Sequence, residues 1–142
     1  MNRDSIPSSK KSHLDTFVLS LDRCLGFEAF IPAFYSAFLS SSDEVAQKFA
    51  RTDFGKQELK LAQSLRTLAG VMTGDAAALQ HLNARAESHD RRHLDIRPEL
   101  YELWRENLMA TAATFDPDWN DYVRESWDSV LSIAIRYMVK RY

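Results

Sequence analysis

Residues 82–104, LNARAESHDRRHLDIRPELYELW, decide how this chain is read. Leu82, Ala86, His89 and His93 recur at intervals of four, three and four, which places them on one stripe of an α-helix. The helix has a start signal in Asp75 followed by Ala76 to Ala78, and Pro98 fits the first turn of the next helix. His89 therefore lies on an otherwise apolar face, from which its imidazole can point inward. An inward histidine is commonly a core residue hydrogen-bonded to a backbone carbonyl; otherwise it is a ligand for a metal or a haem.

Working outward from this stretch, the whole chain reads as a succession of helices. Ser9 or Ser12 can cap a first helix with Leu14, Phe17, Leu21 and Leu25 on its apolar face, ending near Gly26. A second carries Phe27, Phe30, Phe34, Tyr35 and Phe38, and either begins close to Pro32 or bends there, because proline has no amide proton for an interior position. Ser42 or Asp43 opens a short helical turn towards Phe49, and Thr52-Asp53 caps a long helix with Leu61, Leu65 and Leu68, closed by Gly70 and Gly74. Beyond Pro98, a helix bears Tyr101, Trp104, Leu108 and Ala112. The last is expected to start at Asp116-Pro117, with Trp119, Val123, Trp127 and Leu131 on its face. No segment alternates apolar and polar residues convincingly. The expected fold is thus all-α, with seven to eight helices of unequal length crossing pairwise around a pocket.

Composition bounds the function. A chain of 142 residues is one domain, able to bury roughly two-thirds of its unfolded surface. Its 18 basic and 20 acidic residues give a net charge of −2 and are interspersed, so no basic field marks a nucleic-acid partner. One cysteine, Cys24, cannot form an internal disulfide and fits a reducing interior. The polar stretch 1–12 reads as an N-terminal tail preceding a domain at 13–142, and no apolar run of signal-peptide length follows it. The apolar-rich segment from Leu25 to Leu39 is shorter than a bilayer span and is broken by Glu28 and Pro32. A cytoplasmic protein without a membrane partner is expected.

Four anchors, in order, carry a family resemblance: the Phe34-Tyr35 pair; Phe49, fourteen residues beyond Tyr35; Gln57 with Leu61 one turn later; and Ser88-His89 followed by Ile96, Pro98 and Tyr101. With Trp127 in the last helix, the chain resembles the globins, in particular bacterial single-domain globins and the globin halves of flavohaemoglobins. The resemblance spans about Leu14 to Met138.

It implies a haem b whose iron is held by His89, with the second ring nitrogen held by the Ser88 hydroxyl or the Arg85 carbonyl; His93 and His81 are the rival ligands. Phe49 would pack on the haem, although burial alone would also explain it, with Leu61 as the apolar wall, Leu65 a turn deeper, and Ile96 and Tyr101 among the cofactor contacts. Tyr35 and Gln57 resemble the distal pair that donates hydrogen bonds to bound dioxygen; Lys56, next to Gln57, is the alternative. Arg91, Arg92, His93 and Arg97 would meet the haem propionates, or else simply be a solvated helix end.

The resemblance further implies a protein that binds dioxygen and other diatomic gases such as nitric oxide or carbon monoxide. The alternatives are a nitric oxide dioxygenase fed by a separate reductase, since no flavin domain lies within the 142 residues, and a globin-fold gas or redox sensor. Departures from the flavohaemoglobin pattern favour a binding protein over an enzyme. The last helix lacks a glutamate at the place where one bonds the proximal histidine, and the turn after His89 is two residues longer. Whether the chain forms a homodimer is left open.

Overall fold

Side-chain caps set most of the helix boundaries. In the computed structural model, which describes residues 8–142 and their side chains from His13 onward, there are seven helices and no strand. They are α1 (Ser8–Leu25), α2 (Phe30–Ser40), α3 (Asp43–Lys48), α4 (Phe54–Met72), α5 (Ala76–His89), α6 (Pro98–Phe115) and α7 (Asp121–Lys140). Ser42, Asp53 and Asp75 each accept backbone amides of the turn that follows, at α3, α4 and α5. Pro98 opens α6, where its missing amide proton is not needed. Pro32 likewise falls in the first turn of α2, so that helix starts close to it and has no interior proline.

Four expected boundaries move. The first helix already includes Ser8, so neither Ser9 nor Ser12 is its cap. Phe27 precedes α2 instead of belonging to it. Gly70 lies inside α4, and Gly74, at φ +83°, makes the turn after it. Most consequentially, α7 starts at Asp121 with Asn120 accepting the Val123 amide, leaving Trp119 in the preceding connection. Asp116 does not open that helix because its carboxylate is bound to α1, through Ser20 and Arg23.

The helices pack chiefly as α1 on α7, α2 on α6, α4 on α5 and α6 on α7. Phe17, Phe30, Phe34, Leu108, Trp127 and Leu131 are fully buried in the main core. A second buried cluster of Leu82, Ala86, Tyr101, Ile135 and Met138 stands apart from it. Between the two, walled by Leu61, Leu65 and Leu100 from one and Leu82, Ile135 and Met138 from the other, lies a cavity of about 400 Å³. Apolar groups facing a void forgo both dispersion and burial, so this arrangement is one that an apolar occupant would complete.

Candidate functional site

His89 is the final residue of α5 and its ring lines the cavity. In a helix the carbonyl four residues back lies beside the side chain, and His89 Nδ1 is 2.7 Å from the Arg85 oxygen. The Ser88 hydroxyl is 3.0 Å from the same nitrogen and donates to the same carbonyl at 3.0 Å. Because a carbonyl can only accept, Nδ1 carries the proton. Burial pushes the imidazole pKa below its ordinary 6.5, aided by the Arg85 charge and opposed by the Arg85 carbonyl, so the ring is neutral at neutral pH. Nε2 then holds a lone pair and has no hydrogen-bond partner among the described residues. Among the described residues no carboxylate reaches Nδ1; where α7 borders the cavity it presents Ala134, Ile135 and Met138.

A second polar pair faces the same cavity from α2 and α4. Gln57 Nε2 donates to Tyr35 Oη at 3.0 Å. Since that oxygen accepts from the amide, the phenol proton is free to be donated elsewhere. Tyr35 is 4% exposed, and burial is the main cause of its pKa rising to about 12, so it remains a neutral phenol. Asp53 caps the start of α4, and spacings of four, four and three put Gln57, Leu61, Leu65 and Leu68 on the one face that borders the cavity. Gln57 borders the cavity, whereas Lys56 is exposed and does not. Phe49, just past α3, packs edge-on to Tyr35 at 5.7 Å and stacks on Phe54 at 6.0 Å. Phe49, Leu61, Ile96 and Tyr101 all line the cavity.

Arg92 and His93 are not brought there. Both are exposed, and the His93 ring bonds the Asp90 carboxylate at 2.8 Å, which raises the histidine pKa and lowers that of the aspartate. Arg91 lies over the Tyr142 ring at 4.6 Å, and Arg97 pairs with Glu44 and Glu99. The cause is the fold of loop 90–97, in which the Leu94, Asp95 and Ile96 amides bond back to Ser88, Asp90 and His89 at 3.1, 2.8 and 3.0 Å. Asp95 takes a left-handed conformation, φ 52°, and Leu94 and Ile96 face the cavity while the charges turn away. His81 also lies outside, its Nε2 3.3 Å from the Ser64 hydroxyl.

The cations that do border the cavity are Lys48, Lys60 and Arg85, none of which was singled out from the sequence as a charged contact. Two carried a usable signal: Lys60 is three residues past Gln57 and Arg85 four before His89, both same-face spacings.

Among the described residues no three His, Cys, Asp or Glu side chains converge to hold a metal. A lone neutral imidazole in an apolar cavity lacks the partners of a protein-built metal site, whereas it suits an iron whose other ligands come from a macrocycle. The residues present therefore fit a haem.

An all-helical domain with an inward imidazole and a phenol–amide pair in one apolar cavity defines a class, and the comparisons with known proteins name it. The sequence profile of the globin family matches residues 31–138. The crystal structure of protein PA3967 from Pseudomonas aeruginosa PAO1, described as structurally highly homologous to a human hemoglobin, superposes with a TM-score of 0.85 at 34% identity. The match covers 92% of this chain and 98% of that one. No curated protein matches the chain. The chain belongs to the globin family, whose members are typically haem proteins.

Proposed function

We propose that this globin holds haem b through His89 Nε2 and binds dioxygen, with nitric oxide and carbon monoxide as further ligands. The reading rests on one observation: a neutral imidazole with an unengaged nitrogen and a phenol with an unengaged proton share an apolar cavity. Bound haem would supply a ferrous centre with one position open to a diatomic gas. The remaining chemistry belongs to the chain. Arg85 and Ser88 fix the tautomer and orientation of His89. Phe49, Leu61, Ile96 and Tyr101 exclude water. Tyr35 would offer its hydroxyl hydrogen as a hydrogen-bond donor to a polar gas in the cavity, and Gln57, by holding the phenol oxygen, aims that donor.

Reversible binding, as opposed to turnover, is favoured by the partner of His89. A carbonyl and a hydroxyl make an imidazole less electron-donating than a carboxylate does, and electron donation from the proximal ligand is what promotes cleavage of a bound ligand. The test is an absorption spectrum of the purified chain with haem added, beside His89→Ala. The wild type should develop a Soret band with one equivalent of haem, and the variant should lose it or hold haem loosely. Equal retention and unchanged iron coordination in His89→Ala would overturn the assignment.

A further inference from the structure

Along one edge the cavity is separated from solvent by two lightly anchored segments. Lys48, the last residue of α3, and Leu94, in loop 90–97, both border the cavity, yet both are exposed, Leu94 by 53%. Each therefore stands on the rim, with one side towards the cavity and the other towards water. The rim is closed between them, where Lys48 Nζ donates to the Leu94 carbonyl oxygen at 2.9 Å. A second link runs alongside: Arg97 Nε donates to one Glu44 oxygen at 2.9 Å and the same guanidinium donates to the other, joining the end of the loop to α3 by a two-bond ion pair.

Few buried contacts secure α3. It has six residues, too few for a helix stable by itself, and Val45 is its only buried side chain. Among the helices it packs chiefly on α2. The cavity walls α4 and α5, by contrast, are 19 and 14 residues long and pack against each other. Segments with few buried apolar contacts open at the lowest free energy. Both partners of the ion pair are partly exposed, so water can replace each of them at small cost.

We propose that α3 and loop 90–97 form a gate through which the occupant of the cavity enters and leaves, latched shut by the Glu44–Arg97 pair and the Lys48–Leu94 hydrogen bond. For haem as the occupant this rests on the reading above; the gate itself does not need it. A rigid planar body can pass between α4 and α5 only by parting two long packed helices, whereas displacing α3 breaks two links at the surface. A latch present in the empty and the filled protein stabilises the closed form of each alike. It therefore slows entry and exit by the same factor and leaves their ratio, the affinity, unchanged.

The experiment mixes the haem-free protein in stopped flow with ferric haem and, separately, with anilinonaphthalene sulfonate, whose fluorescence rises in an apolar cavity. Release is followed into an excess of a haem scavenger and by dilution, respectively. In Glu44→Gln, uptake and release of each probe should both quicken about threefold, as expected for losing one partly exposed ion pair, with the affinity unaltered. The charge exchange Glu44→Arg with Arg97→Glu should restore most of the wild-type rates, and raising the salt concentration should speed the wild type but not Glu44→Gln. Faster release without faster uptake would overturn the proposal, because α3 and the loop would then be a binding wall. Unchanged rates would overturn it too, placing the route elsewhere on the rim, between Lys60 and Arg85. A wild type that takes up the sulfonate but not haem would sink the haem reading and leave the gate to be judged on the sulfonate rates; one that takes up neither would sink both.

Discussion

The Gln57 amide donates to the Tyr35 oxygen at 3.0 Å, which makes Tyr35 an acceptor on one side and leaves it a donor on the other. Only one of the two side chains need then reach a ligand. Replacing Tyr35 by Phe should raise the dioxygen dissociation rate about tenfold, equivalent to one hydrogen bond of about 1–1.5 kcal/mol. Gln57→Leu should raise it by a smaller factor, about threefold, since it removes only the bond that orients the phenol. Carbon monoxide, less polar when bound, should respond little to either change; equal effects on both gases, measured by flash photolysis and stopped flow, would assign Tyr35 to packing or access. That His89 lies on an inward face was legible from helical spacing, whereas Tyr35 and Gln57 were singled out through the resemblance to globins, since spacing alone left Gln57 equally suited to a solvated face. The outward turn of Arg92 and His93 was settled by neither. They sit in a loop whose backbone bonds and left-handed Asp95 decide what turns inward, and no periodicity encodes that.

At the scale of elements, the contact between α4 and α5 matters because α5 carries His89 and α4 carries Gln57. Gly70 brings the two helices together: a Cβ there would lie 2.8 Å from the Ala78 Cβ. Two effects of Gly70→Ala compete. Alanine gains about 1 kcal/mol of helix propensity, while an overpacked contact against a rigid methyl costs about 1–3 kcal/mol. The clash should win, because the Ala78 Cβ is fixed to its backbone and cannot swing aside. Urea unfolding of the haem-free variant should show a net loss of about 1 kcal/mol; a stabilised variant would mean that α5 yields without strain. Gly70 illustrates why boundaries were read less well than helices. A glycine near the end of a periodic stretch signals termination and close approach equally, and only the position of Ala78, on another helix, distinguishes them. Where a boundary is set by a local cap, as at Asp53, Asp75 and Pro98, neighbouring residues contain the information and the sequence reading holds.

Across the whole molecule, the two ends of the described chain and the connection before α7 meet in one buried polar chain. Trp127 Nε1 donates to Ser20 Oγ at 2.8 Å, Ser20 donates to Asp116 at 2.5 Å, and Arg23 donates to both Asp116 oxygens at 2.6 and 2.9 Å. These partners are 93 to 107 residues apart, which is why Asp116-Pro117 reads locally as a helix start when the carboxylate is committed elsewhere. Burial pushes the Asp116 pKa up, but the hydrogen bonds of Arg23, Ser20 and the Asp118 amide together with the Arg23 charge prevail, and the net direction is below 3.8. A carboxyl with a depressed folded-state pKa stabilises the fold fully above its unfolded pKa, and that contribution is lost as pH falls from about 4 through the folded value. Asp116→Asn should therefore cost about 2–4 kcal/mol at pH 7, since the Asp116 side chain is fully buried and Arg23, 30% exposed, would keep its charge without a partner. Glu99→Gln, which breaks a pair exposed by 43% and 68%, should cost under about 0.5 kcal/mol. Denaturant titrations of both variants between pH 7 and pH 3 decide it. The wild type and Glu99→Gln should lose stability below pH 4 more steeply than Asp116→Asn, so that the gap to Asp116→Asn narrows with acid; a gap independent of pH would place the role of Asp116 in packing rather than in its charge.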